Sequence, residues 1–461
     1  MPGIEAFSYY FPRYSIKAEE FAKAWGYFAA RGVKEKTVAS YDEDQVTMAL
    51  EAASRLADEE VGYLAVATFD GPRISNTVAT AIGLEASRKA DFSHSTNASG
   101  EAFLSCIDYV ESSGGKALLV SSDLPRAAPE DPVEHGLGAA AAALLISTDG
   151  SLHVEETSTY TKEEYGELFL DSKGSRRELG VVDLSAEVIQ RVVNDLGHLK
   201  GGLKVACHEP DGRFPSRALG GLVRPSQIAG GVVELSGDTG CSSSLLALME
   251  SLAGAKEGDN LLLITYGGAS SVVVSLRVDA KPQGPQSPRK ALSTNRRYLR
   301  YVEYAQFRRF LSTKESEAEV SMGAYISIPS YLGSIEERYR LMASRCTSCK
   351  RLHFPPRHVC LSCGGREFDR EPLSGKGEVY AHTIIGRGSS PTEFKEQQDL
   401  IGDYAVALVQ LKEGPRIVSQ LTDCDPEEVK IGLPVESVVR KIYRQEGVAR
   451  YGYKFRPRVV E

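Results

Sequence analysis

At 461 residues the chain is too long for one ordinary core and long enough for about two or three domains of roughly 150 residues each. Its 42% hydrophobic and 25% charged residues are the proportions of a globular protein and exclude a disordered or fibrous one, and a net charge of -8 gives no global basic field for nucleic acid. The N-terminus MPGIEAFSYYFPRYSIK lacks the charged-then-apolar order of a signal peptide, and no apolar run nears the roughly 18 residues of a membrane span, so a cytoplasmic protein is expected.

Taken in chain order, the first part alternates two periodicities. DEDQVTMALEAASRLAD (42–58) repeats its apolar residues at helical spacing, and VGYLAVATF (61–69) reads as a buried strand. NTVATAIGLEA is helical, and GGKALLVSSD (114–123) and AAAALLIST (140–148) are buried strands. The order then repeats: helix AEVIQRVVNDLGHL, strand GLKVACHE, helix SSSLLALMESLAGA, strands NLLLITYG (260–267) and SVVVSLRV. Two similar α/β halves are predicted, each pairing buried strands with covering helices.

DAKPQGPQSPRKALSTN (279–295) has the Pro, Gly and Ser content of a linker, and RRYLRYVEYAQFRRFL after it reads as a helix packed on the first domain. SIPSYLGS (327–334) is the better domain boundary. Beyond it come a short helix, a cysteine cluster, and strands GEVYAHTII, YAVALVQLK, PRIVSQLTD and PVESVVRKIY, which suit a small antiparallel barrel. The basic run Arg440, Lys441, Arg444, Arg450, Lys454, Arg456 and Arg458 reads as a solvated strand edge or as a pocket for a phosphorylated ligand.

Four of the eight cysteines are scattered (Cys106, Cys207, Cys241, Cys424) and four are clustered, which suits a reduced compartment with one metal site better than a disulfide framework. In CTSCKRLHFPPRHVCLSCGG, Cys346, Cys349, Cys360 and Cys363 form two C-x2-C knuckles, and four thiolates fill a tetrahedral shell for Zn2+. No open position remains, so the metal is expected to be structural, with His353 and His358 outside the shell; rubredoxin-type iron would take the same ligands.

Three segments of the first domain look chemical. ACHEPDGRFP (206–215) puts His208 at the end of an apolar strand, where it is either a packed histidine or an acid/base. SGDTGCSSSLLAL (236–248) opens a helix with a turn that offers N–H groups to an anion, and ITYGGASSV (264–272) carries Gly267 and Gly268 at a strand end where backbone can approach a ligand. Each is also readable as an ordinary turn.

HEPDGRFPSRALG resembles the catalytic-histidine motif H-x-P-x-G-[KR]-F-P of the 3-hydroxy-3-methylglutaryl-CoA (HMG-CoA) synthases of the thiolase superfamily, especially the archaeal type. SGDTGCSSSLLALMESLAGAKEGDNLLLITYGGASS is similar to that family's G-N-T-x-x-x-S-S segment and glycine-rich strand, and YLRYVEYAQFRRFL to its late helix. The C-terminal part resembles the zinc-ribbon plus OB-fold proteins that partner such thiolases, here fused in one chain. The resemblance implies a duplicated thiolase-type five-layer α/β/α/β/α fold over residues 1–330, a linker helix and zinc ribbon over 331–370, and an OB-fold β-barrel over 371–461. It implies a homodimer acting on acyl-CoA, with Arg213 at a basic position of the histidine motif that could meet CoA phosphate or be an ordinary surface arginine. FPPRHVC and the Arg-rich barrel strands could line the CoA channel; no nucleic acid is expected there.

The resemblance also implies a cysteine–histidine–acid mechanism, and here the chain departs from it. The nucleophile turn C-x-[AS]-G falls on NASG, with Asn97 in the cysteine place. Cys106 lies nine residues on, more than two helical turns away. The acid corresponds loosely to Asp70, and the Asn of G-N-T becomes Asp238. An amide cannot take an acyl group, so ping-pong synthesis is not expected. The remaining set suits aldol or retro-aldol chemistry, with His208 moving the proton and Asn97 and turn amides holding enolate charge. A catalytically silent CoA-binding scaffold that recruits a separate thiolase is the alternative, and decarboxylation of a malonyl-type thioester a third reading.

Overall fold

The computed structural model describes residues 1–58, 60–85, 87–163, 168–170, 176–178, 184–196, 203–294, 296–311, 327–445 and 448–458. The end of the predicted helix AEVIQRVVNDLGHL, from residue 197, lies outside them. The chain forms two compact units, one of Met1–Ala39 with Asp44–Ala305 and one of Ser40–Glu43 with Gln306–Glu461.

Among the described residues the main sheet of the first unit has nine strands: β1 Gly3–Tyr10, β2 Val61–Ala67, β3 Arg88–Phe92, β4 Lys116–Asp123, β5 Ala140–Ser147, β6 Leu152–Thr161, β7 Lys204–Cys207, β8 Asn260–Gly267 and β9 Ser270–Val278. Their order is β7-β8-β9-β6-β1-β5-β4-β2-β3. From the middle outward, β1-β5-β4-β2 pair antiparallel, antiparallel, parallel, and β6-β9-β8-β7 do the same. The predicted duplication is therefore a repeat of topology. Among the described residues, strand pairing between the halves consists of Gly3↔His153 and Ile4↔Leu152. Glycine is required at that joint, because a Cβ on Gly150 would sit 2.1 Å from the Gly3 carbonyl carbon.

Four helices complete the layers: α1 Gln45–Ala53, α2 Ala98–Ser113, α3 Ser185–Asp195 and α4 Ser242–Ala253. Helix α1 covers β1, β4 and β5 of the first half, and α3 covers β6, β8 and β9 of the second. Helices α2 and α4 each touch strands of both halves and form the middle layer. The arrangement is the expected five-layer α/β/α/β/α sandwich. One core runs through the middle, with Phe103, Ile107 and Val110 of α2 and Leu245 and Met249 of α4 packed with Leu119, Leu144, Leu263 and Val274. Continuous burial of β5, all eight residues, is what a strand covered on both faces requires. Helix α1 starts where Asp44 and Thr47 form a reciprocal capping box, at 2.9 and 3.1 Å. The segment expected to be a linker is packed instead: Phe7 N–H donates to Gln283 O at 2.8 Å, and Pro288–Leu292 is a helix capped by Ser287. Its prolines serve turns and a helix start rather than free chain.

The second unit carries a three-stranded ribbon, Leu352–His353, Met342–Cys346 and Phe368–Pro372, and a five-stranded sheet. The five run in the order Arg416–Gln420, Tyr404–Leu411, Lys376–Ile385, Pro434–Gln445, Val448–Pro457. A bridge between Leu421 and Phe455 links its two ends into a nearly closed barrel. The last strand was missed in the sequence because its cations mask the alternation.

Those cations correct the reading of the basic run. Arg440 and Lys454 are fully buried, neither a solvated edge nor a ligand pocket. Arg440 donates to Asp423 Oδ2 at 3.0 Å and lies 3.2 Å from Glu43; Lys454 donates to Asp42 Oδ2 at 2.9 Å, which also accepts from Thr422 at 2.9 Å. Two of the three acids come from residues 40–43, some 400 positions away in sequence, so the run alone could not reveal its partners. Burial would raise the Asp42 carboxyl, but Lys454 and Arg440 hold it below the ordinary value.

Candidate active site and metal centre

Strand ends and helix starts converge in the first unit. His208 follows β7, is nearly fully buried, and donates its main-chain N–H to Ile264 O on β8 at 3.0 Å. The next residue, Thr265, donates its hydroxyl to Asn97 Oδ1 at 2.5 Å. Asn97, wholly buried, is the N-cap of α2, and its Nδ2 donates to Ser270 Oγ at 3.1 Å. Thr96 Oγ1 donates to Tyr266 O at 2.7 Å. The main chain of His208 and the side chain of Asn97 are thus both bonded to the end of β8. Close approach is built in: a Cβ on Gly267 would lie 2.2 Å from Thr96 Oγ1. Gly268 takes a left-handed φ of 58° as the chain turns into β9.

Helix α4 brings a second group. Its N-cap is Cys241, the place in the second half that Asn97 holds in the first. Cys241 Sγ faces Ser95 O at 3.3 Å, and its N–H donates to Asp123 Oδ2 at 2.6 Å. Asp123 ends β4, is fully buried, and also accepts from Phe69 N–H at 2.7 Å. Burial pushes its carboxyl up to about 7, with the Asp70 charge adding to the rise. Asp70 itself is half-buried and accepts from Gln45 Nε2 at 3.0 Å. Asp238 folds its carboxylate onto Gly240 N–H at 2.9 Å, while its main chain pairs with Gly136 and Gly138 at 2.7 and 2.8 Å.

Of the residues singled out in the sequence, Asn97 and His208 share β8, Asp70 stands beside Asp123, and Asp238 shares its turn with Gly240 and Cys241. Arg213 is exposed at the N-cap of the short helix Phe214–Ala218, its N–H spent on Asp211 at 2.7 Å. Asp123, Glu209 and Cys241 were missed. A strand-end acid in SSD, and a cysteine inside an already suspected turn, were the available signals. Cys106 is buried within α2, and burial drives its thiol far above the ordinary value, so it offers no thiolate.

In the second unit Cys346, Cys349, Cys360 and Cys363 place all four sulfurs within 4.8 Å of one another. Zn–S bonds of about 2.3 Å set the edges of a tetrahedral shell at about 3.8 Å. The 346–363 and 349–360 separations, 3.6 and 3.5 Å, fit that shell. His353 Nε2 lies 3.3 Å from Cys360 Sγ, so it meets a ligand sulfur rather than joining the four.

Residues 334–369 match the ChsH2 rubredoxin-like zinc ribbon domain, and residues 370–440 the ChsH2 C-terminal OB-fold domain. A DUF35 domain-containing scaffold protein of Methanocaldococcus jannaschii is 42% identical over 126 residues, 27% of this chain and 85% of that protein. The hydroxymethylglutaryl-CoA synthase of Archaeoglobus fulgidus is 29% identical over 318 residues, 63% of this chain and 93% of that one. Among solved structures, an HMG-CoA synthase complexed with CoA superposes with a TM-score of 0.62 at 16% identity, over 71% of this chain and 95% of that one. MvaS in complex with 3-hydroxy-3-methylglutaryl coenzyme A gives 0.58 at 20% identity, over 68% and 92%. At such identities the superpositions show the fold alone. Among the described residues no helix is long and apolar enough to cross a membrane.

Proposed function

Because the chain belongs to the DUF35-domain family through its zinc ribbon and OB fold, and is HMG-CoA synthase-like over its thiolase-superfamily N-terminal part, we propose that it is an acyl-CoA carbon–carbon bond enzyme of aldol type. What supports this is that His208 and Asn97 both bond to the end of β8, the first through Ile264 O and the second through the Thr265 hydroxyl. The histidine motif is kept, while an amide tied to Thr265 and Ser270 holds the place of the family's thiol. In the cleavage direction His208 takes the proton of a β-hydroxyl, the Cα–Cβ bond breaks, and the electron pair becomes an enolate on the thioester oxygen. Main-chain N–H groups at the start of α2 and Asn97 Nδ2, drawn from Ser270, would hold that charge. The carbonyl product leaves, and the enolate takes a proton back. Asp70 and Asp238 are proposed to shape the site, and Arg213 with Gly267 and Gly268 to meet CoA.

Incubation with β-hydroxyacyl-CoA thioesters tests the reading. Cleavage that falls about 10²–10⁴-fold in His208→Ala supports it; equal rates in the two proteins, or none in either, reject it. In the same assay Asn97→Cys restores a thiol at the helix start, and mass spectrometry is expected to find an acyl adduct that the natural protein lacks. A stable acyl adduct on a cysteine of the natural protein would return the chain to ordinary synthase chemistry.

The second reading is a silent CoA-binding scaffold. What favours it is the similarity to DUF35 scaffold proteins together with the altered positions at Asn97, Asp70 and Asp238. Co-purification with a thiolase subunit, and no turnover alone, would establish it. We take residues 1–330 as the synthase-like part, 331–370 as linker helix and zinc ribbon, and 371–461 as the barrel. The four thiolates would hold a structural Zn2+, because they leave no coordination position for a substrate. Metal analysis should return one zinc per chain, lost in Cys346→Ser. A cytoplasmic homodimer, checked by light scattering, completes the proposal.

A further inference from the structure

Glu209 lies beside His208 in sequence, is nearly fully buried, and has no part in the chemistry above. Its carboxylate does not point at nothing: Oε2 accepts from Val233 N–H at 3.3 Å, with the Val232 N–H also bonded to the carboxylate. Its own N–H donates to Ser243 Oγ at 2.9 Å, and that hydroxyl lies 3.4 Å from Glu209 O. Residues 232 and 243 bracket the segment that carries Asp238 and Cys241. We propose that Glu209 is a positioning residue: side chain on Val232 and Val233, main chain on Ser243, it clasps both ends of segment 232–243 and so keeps Asp238 and Cys241 in place. Its role in turnover rests on the functional reading above; the clasp itself does not.

The surroundings make the clasp titratable near neutrality. Burial pushes the Glu209 carboxyl up to about 7, the two N–H groups opposing the rise. The charged groups that act on it are Arg289 from the helix Pro288–Leu292 and Glu250 from α4; Glu234 lies in the short helix Val233–Ser236 that it binds, and His208 precedes it in the chain. Arg289 helps from a distance and is engaged elsewhere, donating to Gly231 O at 2.6 Å and to Glu234. An ionised carboxylate accepts N–H groups more strongly than a protonated one. Burial outweighs that gain, since the carboxyl is raised rather than lowered, so the clasp loosens as pH rises through 7.

Hydrogen exchange of the segment 230–236 between pH 6 and 8.5, corrected for intrinsic exchange, reads this without any substrate. In the natural protein, protection should fall by about tenfold across that range. In Glu209→Gln, which keeps an acceptor oxygen but cannot ionise, it should stay flat, and Glu209→Asp should restore some of the fall. Ser243→Ala should loosen the segment while leaving the pH dependence in place. The same titration in β-hydroxyacyl-CoA cleavage should show a decline above about pH 7 that Glu209→Gln lacks. A pH dependence of exchange unchanged in Glu209→Gln, or absent from the natural protein, overturns the inference. Exchange as expected without any turnover would instead reject the functional reading and leave the clasp standing.

Discussion

Buried carboxylates in the two units of this protein have opposite fates. Asp123 and Glu209 in the first unit are sunk among strand ends, where main-chain N–H groups are their main partners, and burial lifts both to about 7. Asp42 in the second unit is equally buried, yet Lys454 and Arg440 keep it ionised and below its ordinary value. The difference teaches that burial does not fix the charge state of an acid; a cation within contact does. Acids of the first kind exchange protons near neutral pH and suit a reactive site. Acids of the second kind are permanent ions that hold chain segments together.

Removing the cation should break the comparison hardest. Arg440→Leu leaves Asp423, Glu43 and Asp42 with one buried positive charge among them, and is expected to cost about 3–5 kcal/mol in urea unfolding. Acid titration sharpens the same point. The depressed Asp42 carboxyl contributes stability that is present above about pH 4, its unfolded value, and fades only as pH falls further through the folded value. An unfolding midpoint insensitive to Arg440→Leu would show the cluster to be neutral packing.

The first unit should answer in the opposite sense. Glu209 loses its proton near 4.5 when unfolded and near 7 when folded, so stability falls as pH rises between the two and stays low above 7. Glu209→Gln should therefore raise stability at pH 8 by up to about 3 kcal/mol and flatten part of the decline between pH 5 and 8. A lower midpoint at pH 8 would mean that the N–H bonds to the carboxylate outweigh its desolvation. The smallest effect belongs to exposed charge. Arg277 and Asp279 pair at 2.9 Å in solvent, and Arg277→Gln should leave the thermal midpoint within error.

Much of this architecture was readable. Continuous apolar runs such as AAAALLIS announced strands covered on both faces, and the C-x2-C spacing announced four converging sulfurs. His208 stood out because polar residues at the end of an apolar strand are unusual. Glu209, its neighbour, did not, since an acid after a histidine carries no pattern of its own. Asp123 was hidden for the same reason, and Cys241 because equivalence to Asn97 exists only once the two halves are superposed in topology. The linker reading of 279–295 failed on composition: proline and glycine mark turns whether or not the chain between them is packed.

The order of apolar and polar residues along the chain determined the strands, the helices, the duplication and the metal-ligand set, since these depend on local periodicity and spacing. Which side chains face one another was decided by tertiary structure. Strand crossovers bring Thr265 to Asn97, and a four-residue segment near the start brings Asp42 to Lys454. The electrostatic state of each buried group followed from those neighbours, because in a medium of low polarity a charge is governed by the few atoms that touch it.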